Sequence, residues 1–224
     1  MLKCMNIYLK FMQKMMKSSL NLTSEKNESA VVRLRSYLKS GQVYRREDLL
    51  SASNAVDRHL KLLVNSGDLE KLSQGLYYAP KLSIFGKVPP KDKDLVRVFL
   101  KEEDFLLFSP NSYNSLGLGT TQLYSKTIVY NRKRHGVFKL GNRNFDFRMK
   151  PRFPKKLDRE FLLIDLLNNL DALAENINDI LVNAEKQIAE FEPSKLKKAV
   201  SDYGAVGTKK KVLCWLQIFQ EANT

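Results

Sequence analysis

The sequence predicts an α+β protein, in which a helical N-terminal part with a short hairpin is followed by a C-terminal α+β part with a small antiparallel sheet and a helical end. Apolar residues recur at helical spacing in residues 29–65 and again after residue 158. Between residues 127 and 150, apolar and polar residues alternate as they do in half-buried strands. The expected divisions are a leader over 1–28, a first domain over 29–80 and a second domain over 81–224.

Length and composition allow a folded core and exclude several classes of protein. The chain has 224 residues, of which 43% are hydrophobic and 28% are charged. This composition is not that of a disordered tail, a collagen-like chain or a disulfide scaffold. No run of about 18 apolar residues occurs, so no transmembrane helix is expected. Cys4 and Cys214 belong to no CxxC or CxxH pair, which is typical of free thiols in a reducing compartment, and we expect a cytoplasmic protein.

The positive charge is concentrated in the first two thirds of the chain. There are 38 Lys and Arg against 24 Asp and Glu, a net charge of +14. Residues 1–80 carry a net +6 and residues 81–156 a net +11, whereas residues 157–224 carry a net −3. An excess of this size favours binding to polyanions such as nucleic acids. The acidic last third indicates a different task, such as packing or contact with a protein partner.

The leader over residues 1–28 is rich in methionine, and its apolar residues recur at helical spacing. A secretory signal is disfavoured because Lys10 and Lys14 interrupt the apolar stretch and no cleavage motif follows. We expect a dispensable, disordered extension or a misassigned start codon, with a docking helix as the alternative.

Three helices are predicted in residues 29–65. The first ends at Gly41 and carries an apolar stripe made of Val31, Val32, Leu34, Tyr37 and Leu38. After a short extended piece, a second helix over 45–50 has acidic residues in its first turn, where the helix dipole favours them. The third helix covers 54–65. Its apolar residues, which we expect to face the core, are Val56, Leu60 and Leu63.

A hairpin completes the first domain. Leu69 and Leu72 on one side of Gly75, and Leu76 and Tyr78 on the other, predict two short strands. The order of helix, short strand, helix, helix and hairpin is that of a winged helix-turn-helix. In such a domain, the third helix enters the major groove of DNA and the hairpin lies beside the backbone.

The exposed side of the third helix is the candidate reader of base edges. Asn and Arg are the residue types that pair bidentately with adenine and guanine, whereas Asp57 would repel phosphate unless it binds a cytosine amine or pairs with Arg58 or Lys61. The predicted DNA-binding residues are Arg45, Arg46, Ser53, Asn54, Asp57, Arg58, Lys61, Lys71, Ser73 and Gln74, of which Arg45, Arg46, Lys71, Ser73 and Gln74 are expected at the phosphates. A domain that makes only protein contacts is the alternative.

A basic loop in the second domain is a second candidate contact. Strands are predicted over 105–108, 127–131, 136–140 and 145–150, and the last three are expected to form an antiparallel meander. The turns between them carry Arg132, Lys133, Arg134 and Arg143. These residues either contact nucleic acid or form a solvated hairpin tip, and the sequence leaves both open.

Helices are predicted around these strands. They cover 91–100, 109–117, 158–173, 177–191, 196–203 and 208–219. The leucines of the helix over 158–173 form a wide apolar face. We expect that face to pack on the sheet, and a groove for a partner is the alternative.

The chain carries no recognisable catalytic motif. Its two histidines, His59 and His135, are not near cysteines or paired carboxylates in the sequence, whereas a zinc site needs three or four ligands. His59 is expected to be packed or partly exposed rather than a ligand. A metal nuclease would need a second acid near Asp146, where Arg148 stands instead. We therefore expect no enzyme, no metal and no cofactor.

Several short motifs follow one another in a characteristic order along roughly residues 29–215. They are Asn54-Ala55-Val56-Asp57-Arg58-His59-Leu60, Gly67-Asp68-Leu69, Leu72-Ser73-Gln74-Gly75-Leu76-Tyr77, Ser109-Pro110, Leu116-Gly117-Leu118-Gly119-Thr120-Thr121-Gln122, Asp202-Tyr203-Gly204 and Thr208-Lys209-Lys210-Lys211. This order resembles the AbiEi antitoxin family of type IV toxin–antitoxin systems. Gln74 departs from the family, in which a basic residue is more usual in the wing, and the leader is a second departure.

The resemblance implies an N-terminal winged helix that binds operator repeats and represses its own operon, and a C-terminal domain that counters a nucleotidyltransferase toxin of the AbiEii type. We therefore expect an antitoxin and autorepressor. Its partners would be double-stranded DNA that carries inverted repeats and a toxin that it either binds directly or counters without contact. No membrane partner is expected. The alternatives are a stand-alone winged-helix regulator and a protein-interaction module without a toxin. RNA binding is disfavoured because no RRM motif is present.

Overall fold

Residues 30–222 are described in the computed structural model, and they belong to two compact units that divide after Phe99. Both units combine helices with small sheets, which confirms the expected α+β class. The predicted leader over residues 1–28 lies outside the described residues. Each unit has a hydrophobic core of its own.

The first unit contains helices, a three-stranded sheet and a separate hairpin. Residues 30–37 form helix α1. The elements that follow are β1 (Val43–Arg45), a 3₁₀ helix (Arg46–Ala52), α2 (Val56–Asn65), β2 (Glu70–Ser73), β3 (Leu76–Tyr78), β4 (Lys81–Ser83), β5 (Gly86–Val88) and α3 (Asp92–Leu100). The sheet has the order β1-β3-β2 with antiparallel pairs, and β4 pairs only with β5.

Leucines from three helical segments fill the core of the first unit. Leu34 of α1, Leu49 of the 3₁₀ helix and Leu63 of α2 are completely buried and pack in one cluster. The prediction that Val32 and Tyr37 belong to the apolar stripe of α1 is wrong, because Val32 is 56% exposed and Tyr37 is 50% exposed. Val32 lies about 200° around the helix from Leu34, so the two side chains cannot share one face.

The first unit ends at residue 99 rather than at the expected boundary after residue 80. The Tyr78 hydroxyl donates to the carbonyl oxygen of Val88 at 2.6 Å. The guanidinium of Arg45 donates to the carbonyl oxygen of Phe99 at 3.2 Å. These hydrogen bonds join the hairpin β4–β5 and helix α3 to the first sheet, which corrects the boundary inferred from the proline-rich connector.

The second unit contains a four-stranded sheet and a group of helices. In chain order the elements are β6 (Leu106–Phe108), a 3₁₀ helix (Pro110–Leu116), β7 (Thr127–Asn131), β8 (Gly136–Leu140), β9 (Arg143–Met149), α4 (Arg159–Asn168), a 3₁₀ helix (Leu170–Ala172), α5 (Ile177–Lys186), a 3₁₀ helix (Gln187–Glu190), α6 (Pro193–Tyr203) and α7 (Val206–Ala222). The predicted helix over 158–173 therefore ends at Asn168. The predicted helix over 177–191 is α-helical only to Lys186 and continues as the 3₁₀ helix Gln187–Glu190.

The sheet of the second unit is mixed, which corrects the expected antiparallel meander. Its order is β6-β7-β9-β8, and β7 pairs with β9 in parallel, while the other two pairs are antiparallel. Strand β9 lies between β7 and β8, and its Phe145 and Phe147 are completely buried, whereas Val137 of the edge strand β8 is 71% exposed.

Helix α4 is the centre of the second unit. Every residue from Phe161 to Leu167 is buried, so the predicted leucine face packs into the core instead of forming a partner groove. The Asp158 side chain caps the helix by accepting from the backbone of Phe161 at 2.7 Å. The buried aromatic rings of Phe108, Tyr130 and Phe161 meet edge to face beside it.

One carboxylate lies inside this apolar core. Asp165 of α4 is 3% exposed, and it accepts hydrogen bonds from the hydroxyls of Tyr113 at 2.6 Å and Tyr130 at 2.7 Å. Burial raises the pKa of Asp165 above its usual range, while the two tyrosine hydroxyls oppose that rise by stabilising the anion. The two donors therefore compensate a carboxylate that burial alone would make costly.

Loss of either tyrosine hydroxyl is expected to destabilise the second unit. In Tyr113→Phe or Tyr130→Phe, Asp165 stays buried but loses a donor, and the free energy of unfolding should fall by about 1–3 kcal/mol. Urea unfolding followed by circular dichroism measures the change. Tyr37→Phe is the matched control, since that side chain is half exposed; equal unfolding midpoints for all three variants would contradict the prediction.

Candidate nucleic-acid interface

Helix α2 has one buried side and one exposed side. Val56, Leu60 and Leu63 face the core, as predicted. The exposed residues are Asp57, Arg58, Lys61, Leu62 and Asn65. Because residues three apart are neighbours on a helix, the predicted Arg58 and Lys61 lie side by side toward solvent.

The charges of Arg58 and Lys61 are available to an external partner. Within residues 30–222, neither side chain forms a hydrogen bond or a salt bridge. Asn54 is exposed as well, but it lies in the turn before α2, because the helix begins at Val56, two residues later than predicted. Asn54 is therefore at the N-terminal end of the exposed face rather than on the helix itself.

Ser53 lies below the surface, which corrects its predicted place at the DNA. It is 3% exposed, and its hydroxyl lies 2.6 Å from Nδ1 of His59 and accepts from the backbone of Ala55 at 3.2 Å. His59 is 2% exposed, so it is packed, which is the first of the two alternatives that the sequence left open. The pair fixes the turn that leads into α2, so Ser53 positions the interface instead of belonging to it.

Asp57 pairs with Arg46, not with Arg58 or Lys61 as the sequence suggested. Arg46 donates from Nε to Oδ1 and from Nη2 to Oδ2, both at 2.6 Å. These hydrogen bonds lower the pKa of the Asp57 carboxyl and raise the pKa of Arg46. The one acidic residue on the predicted reading face is therefore neutralised, and Arg58 and Lys61 keep their attraction for phosphate.

Arg46 also joins the hairpin turn to α2. Its backbone N–H donates to the carbonyl oxygen of Gly75 at 2.9 Å, so the turn of the hairpin and the first turn of α2 lie at the same end of the unit. Gly75 has a φ of +70°, which favours glycine. Beside it, Lys71 and Gln74 are exposed as predicted, whereas Ser73 is half-buried.

Arg45 is largely withdrawn from the surface, which corrects its predicted role at the phosphates. Its side chain is 18% exposed, and its guanidinium lies 3.7 Å from the carboxylate of Glu47 and bonds to the carbonyl of Phe99. A guanidinium engaged in this way would have to break protein contacts before it reached DNA.

The basic loop of the second unit is balanced by acidic residues. Arg132 pairs with Asp104, and Lys133 pairs with Glu102 at 3.0 Å. Arg134 is exposed, and Arg143 is half-buried at the start of β9. The register of β6 against β7 joins Leu106 to Tyr130, and this register continued two residues further brings Asp104 opposite Arg132.

The described residues show no cluster that suggests a metal. Within residues 30–222, no group of three or more His, Cys, Asp and Glu side chains could hold an ion. Asp146, the carboxylate considered for a nuclease site, accepts two hydrogen bonds from Arg148, at 3.0 and 2.9 Å. None of the described helices is both long and apolar enough to cross a membrane.

Comparison with known proteins shows a similarity of fold and no similarity to a known family. No family model matches the chain, and no curated protein matches it. Among solved structures, it is similar to the crystal structure of the RV2827C protein from Mycobacterium tuberculosis, with a TM-score of 0.54 and 15% sequence identity. The match covers 84% of this chain and 76% of that chain. At such an identity the similarity concerns the fold alone.

Removing the Asp57 carboxylate is expected to strengthen binding to duplex DNA. In Asp57→Asn, the guanidinium of Arg46 is released beside Arg58 and Lys61, and one more phosphate contact should steepen the slope of log K against log salt by about 0.9. Fluorescence anisotropy at a series of salt concentrations measures that slope.

Asp94→Asn is the matched control for Asp57→Asn, because Asp94 also pairs with an arginine of the first unit, Arg97 at 2.9 Å. The control alters net charge equally but should leave the slope unchanged. Weaker binding by Asp57→Asn than by wild type would show that the ion pair holds Arg46 in a conformation that DNA binding requires.

Proposed function

We propose that the first unit is a winged helix-turn-helix that binds duplex DNA, with α2 as the recognition helix and the hairpin β2–β3 as the wing. The observation that carries the proposal is the exposed face of α2, where Arg58 and Lys61 are unpaired and Asp57 is neutralised by Arg46. The order of helix, strand, helix, helix and hairpin supports it.

The chemistry of this face suggests a division of labour. Arg58 is suited to a guanine edge, and Asn54, at the leading end of α2, to an adenine edge. Lys61 and the wing residues Lys71 and Gln74 are suited to the backbone, where contacts position the protein without reading sequence. Arg46 would join the phosphate contacts only after it leaves Asp57.

We further propose that the chain is a bacterial antitoxin and autorepressor of a type IV toxin–antitoxin operon. In this role it binds the repeats of its own operator in the cytoplasm and counters a nucleotidyltransferase toxin. The support is the order of motifs that resembles the AbiEi family, together with a second unit whose helical end carries net negative charge. Without a nucleotidyltransferase gene beside its own, the chain would instead be a stand-alone regulator.

Substitutions on α2 are expected to weaken specific binding to the DNA upstream of the chain's own gene. Arg58→Ala should cost about 1–3 kcal/mol and relax specificity, and Lys61→Ala should weaken binding to all sequences and reduce the salt slope by about 1. A salt-titrated gel shift with operator and scrambled duplexes measures both effects.

Lys197→Ala is the control, because Lys197 is an exposed lysine of α6 in the second unit. It removes the same charge from the chain and should leave binding unchanged. If wild type and all three variants bind equally well, the DNA site is not on α2. If wild type fails to bind any duplex at low salt, the repressor function is refuted.

A protein-interaction module is the second candidate function, and one observation favours it. At the tip of the hairpin β4–β5, Ile84 and Phe85 are each 93% exposed. Adjacent apolar side chains in this position are typical of contacts with another protein. Absence of DNA binding, with a loss of partner binding on Phe85→Ser, would support this function over the first.

A further inference from the structure

A cavity of about 270 Å³ lies in the second unit beside the first turns of α7. Its aliphatic lining comes from Leu167, Leu170, Ile177 and Leu181. Its polar lining includes Asp171, Thr208 and Lys211. Pockets for drug-sized ligands combine an apolar wall with a few convergent polar groups in this way, and their volumes begin at roughly 300 Å³. At about 270 Å³ the cavity lies just below that range, so it suits a ligand smaller than a drug-sized molecule.

The loop that enters α7 is fixed in place at the edge of this cavity. The side-chain amide of Asn168 donates to the carbonyl oxygen of Tyr203 at 2.9 Å and accepts from the backbone of Ala205 at 2.8 Å. A Cβ at Gly204 would lie 2.6 Å from the carbonyl oxygen of Val200, so only glycine fits there. The start of the helix is thus held firmly against the end of α4.

The first turn of α7 presents donors without acceptors. The first N–H groups of a helix have no partner within the helix, and the residue before α7 is Ala205, which has no side chain that could cap them. Gly207 lines the cavity, and apart from the helix's own backbone no heavy atom lies within 4 Å of where its Cβ would be. A ligand can therefore come close to the backbone of this turn.

Thr208 provides an independent indication of a ligand. It is 7% exposed and lines the cavity, yet its hydroxyl forms no hydrogen bond within residues 30–222. The hydroxyl is not completely occluded, so a group in the cavity that Thr208 lines can reach it. A buried hydroxyl normally has a partner, and a ligand in the cavity that Thr208 lines would supply one.

Three consecutive lysines add positive charge near the start of α7. Lys209, Lys210 and Lys211 are the fourth to sixth residues of the helix. Lys209 donates to the carbonyl oxygen of Ser201 at 2.7 Å. Lys211 lines the cavity and has no salt bridge with any described residue, including Asp171, which lines the same cavity. The ammonium of Lys211 is therefore available to an anion in the cavity.

We propose that this cavity binds a phosphorylated ligand of the size of a nucleoside monophosphate. The phosphate lies at the N-terminus of α7, where it accepts from the backbone of Gly207 and Thr208, from the Thr208 hydroxyl and from the ammonium of Lys211. The aliphatic wall packs against the organic part of the ligand, and Asp171 accepts from a hydroxyl or amino group of it. The site belongs to the second unit and does not depend on DNA binding by α2.

Calorimetric titration of the full chain with adenosine 5′-monophosphate, ribose 5-phosphate, inorganic phosphate and adenosine tests the proposal. The monophosphate should bind most tightly, since it meets both the phosphate donors and the apolar wall, and adenosine should not bind. Thr208→Val and Lys211→Gln should each weaken binding by about tenfold or more, because each removes a charge-assisted hydrogen bond.

Lys210→Gln is the matched control, since Lys210 carries the same charge in the same turn without lining the cavity. It should change the affinity by less than about twofold. Three outcomes overturn the proposal. The first is that no phosphorylated probe binds at concentrations up to about 10 mM, which would detect even very weak binding. The others are that adenosine binds as well as its monophosphate, or that Lys210→Gln weakens binding as much as Lys211→Gln. Because Lys211 is exposed, its variant remains informative even if Thr208→Val unfolds.

Discussion

Pairing of basic side chains with carboxylates is the interaction on which the two candidate sites depend. A chain with a net charge of +14 is destabilised by its own repulsion unless its charges are separated or paired. Arg46 with Asp57, and Lys133 with Glu102, are neutralised where they stand. The cations left over are then informative, because an unpaired charge on a rigid helix is available to a partner. Arg58 and Lys61 on α2, and Lys211 on α7, are such cations.

The helices and strands could be predicted from the sequence because each is set by local periodicity. Strands β7 and β8 have the predicted bounds, and α2 buries the three predicted residues. The pairing of β7 with β9 could not be predicted in the same way. Alternation fixes which side of a strand is buried, but strand order depends on which strand covers the others best. Phe145 and Phe147 are completely buried in that order, and such burial is a property of the assembled sheet.

The candidate interface was predictable to the extent that exposure follows from periodicity. Once Val56, Leu60 and Leu63 face inward, Arg58 and Lys61 must face outward. The pair of Arg46 with Asp57 and the contact of Arg45 with Phe99 were not predictable, because each joins different elements of the fold. Asp57 is eleven residues from Arg46, and the two lie in different helices whose packing the sequence does not show. The burial of Ser53 could not be predicted either, since a serine before a helix can cap the helix, bond to a buried partner or bind a phosphate equally well.

The two candidate sites differ in enclosure, and enclosure determines which anion each one suits. Arg58 and Lys61 face bulk solvent, where charge attraction is screened over about 8 Å at physiological salt. A single phosphate would gain little there, but a duplex releases counterions at every contact, so that several exposed cations act together. Thr208 is 7% exposed in a cavity whose lining includes Leu167, Leu170 and Leu181, and there several donors can converge on one phosphate. The exposed face of α2 therefore suits an extended polyanion, and the start of α7 suits a compact one.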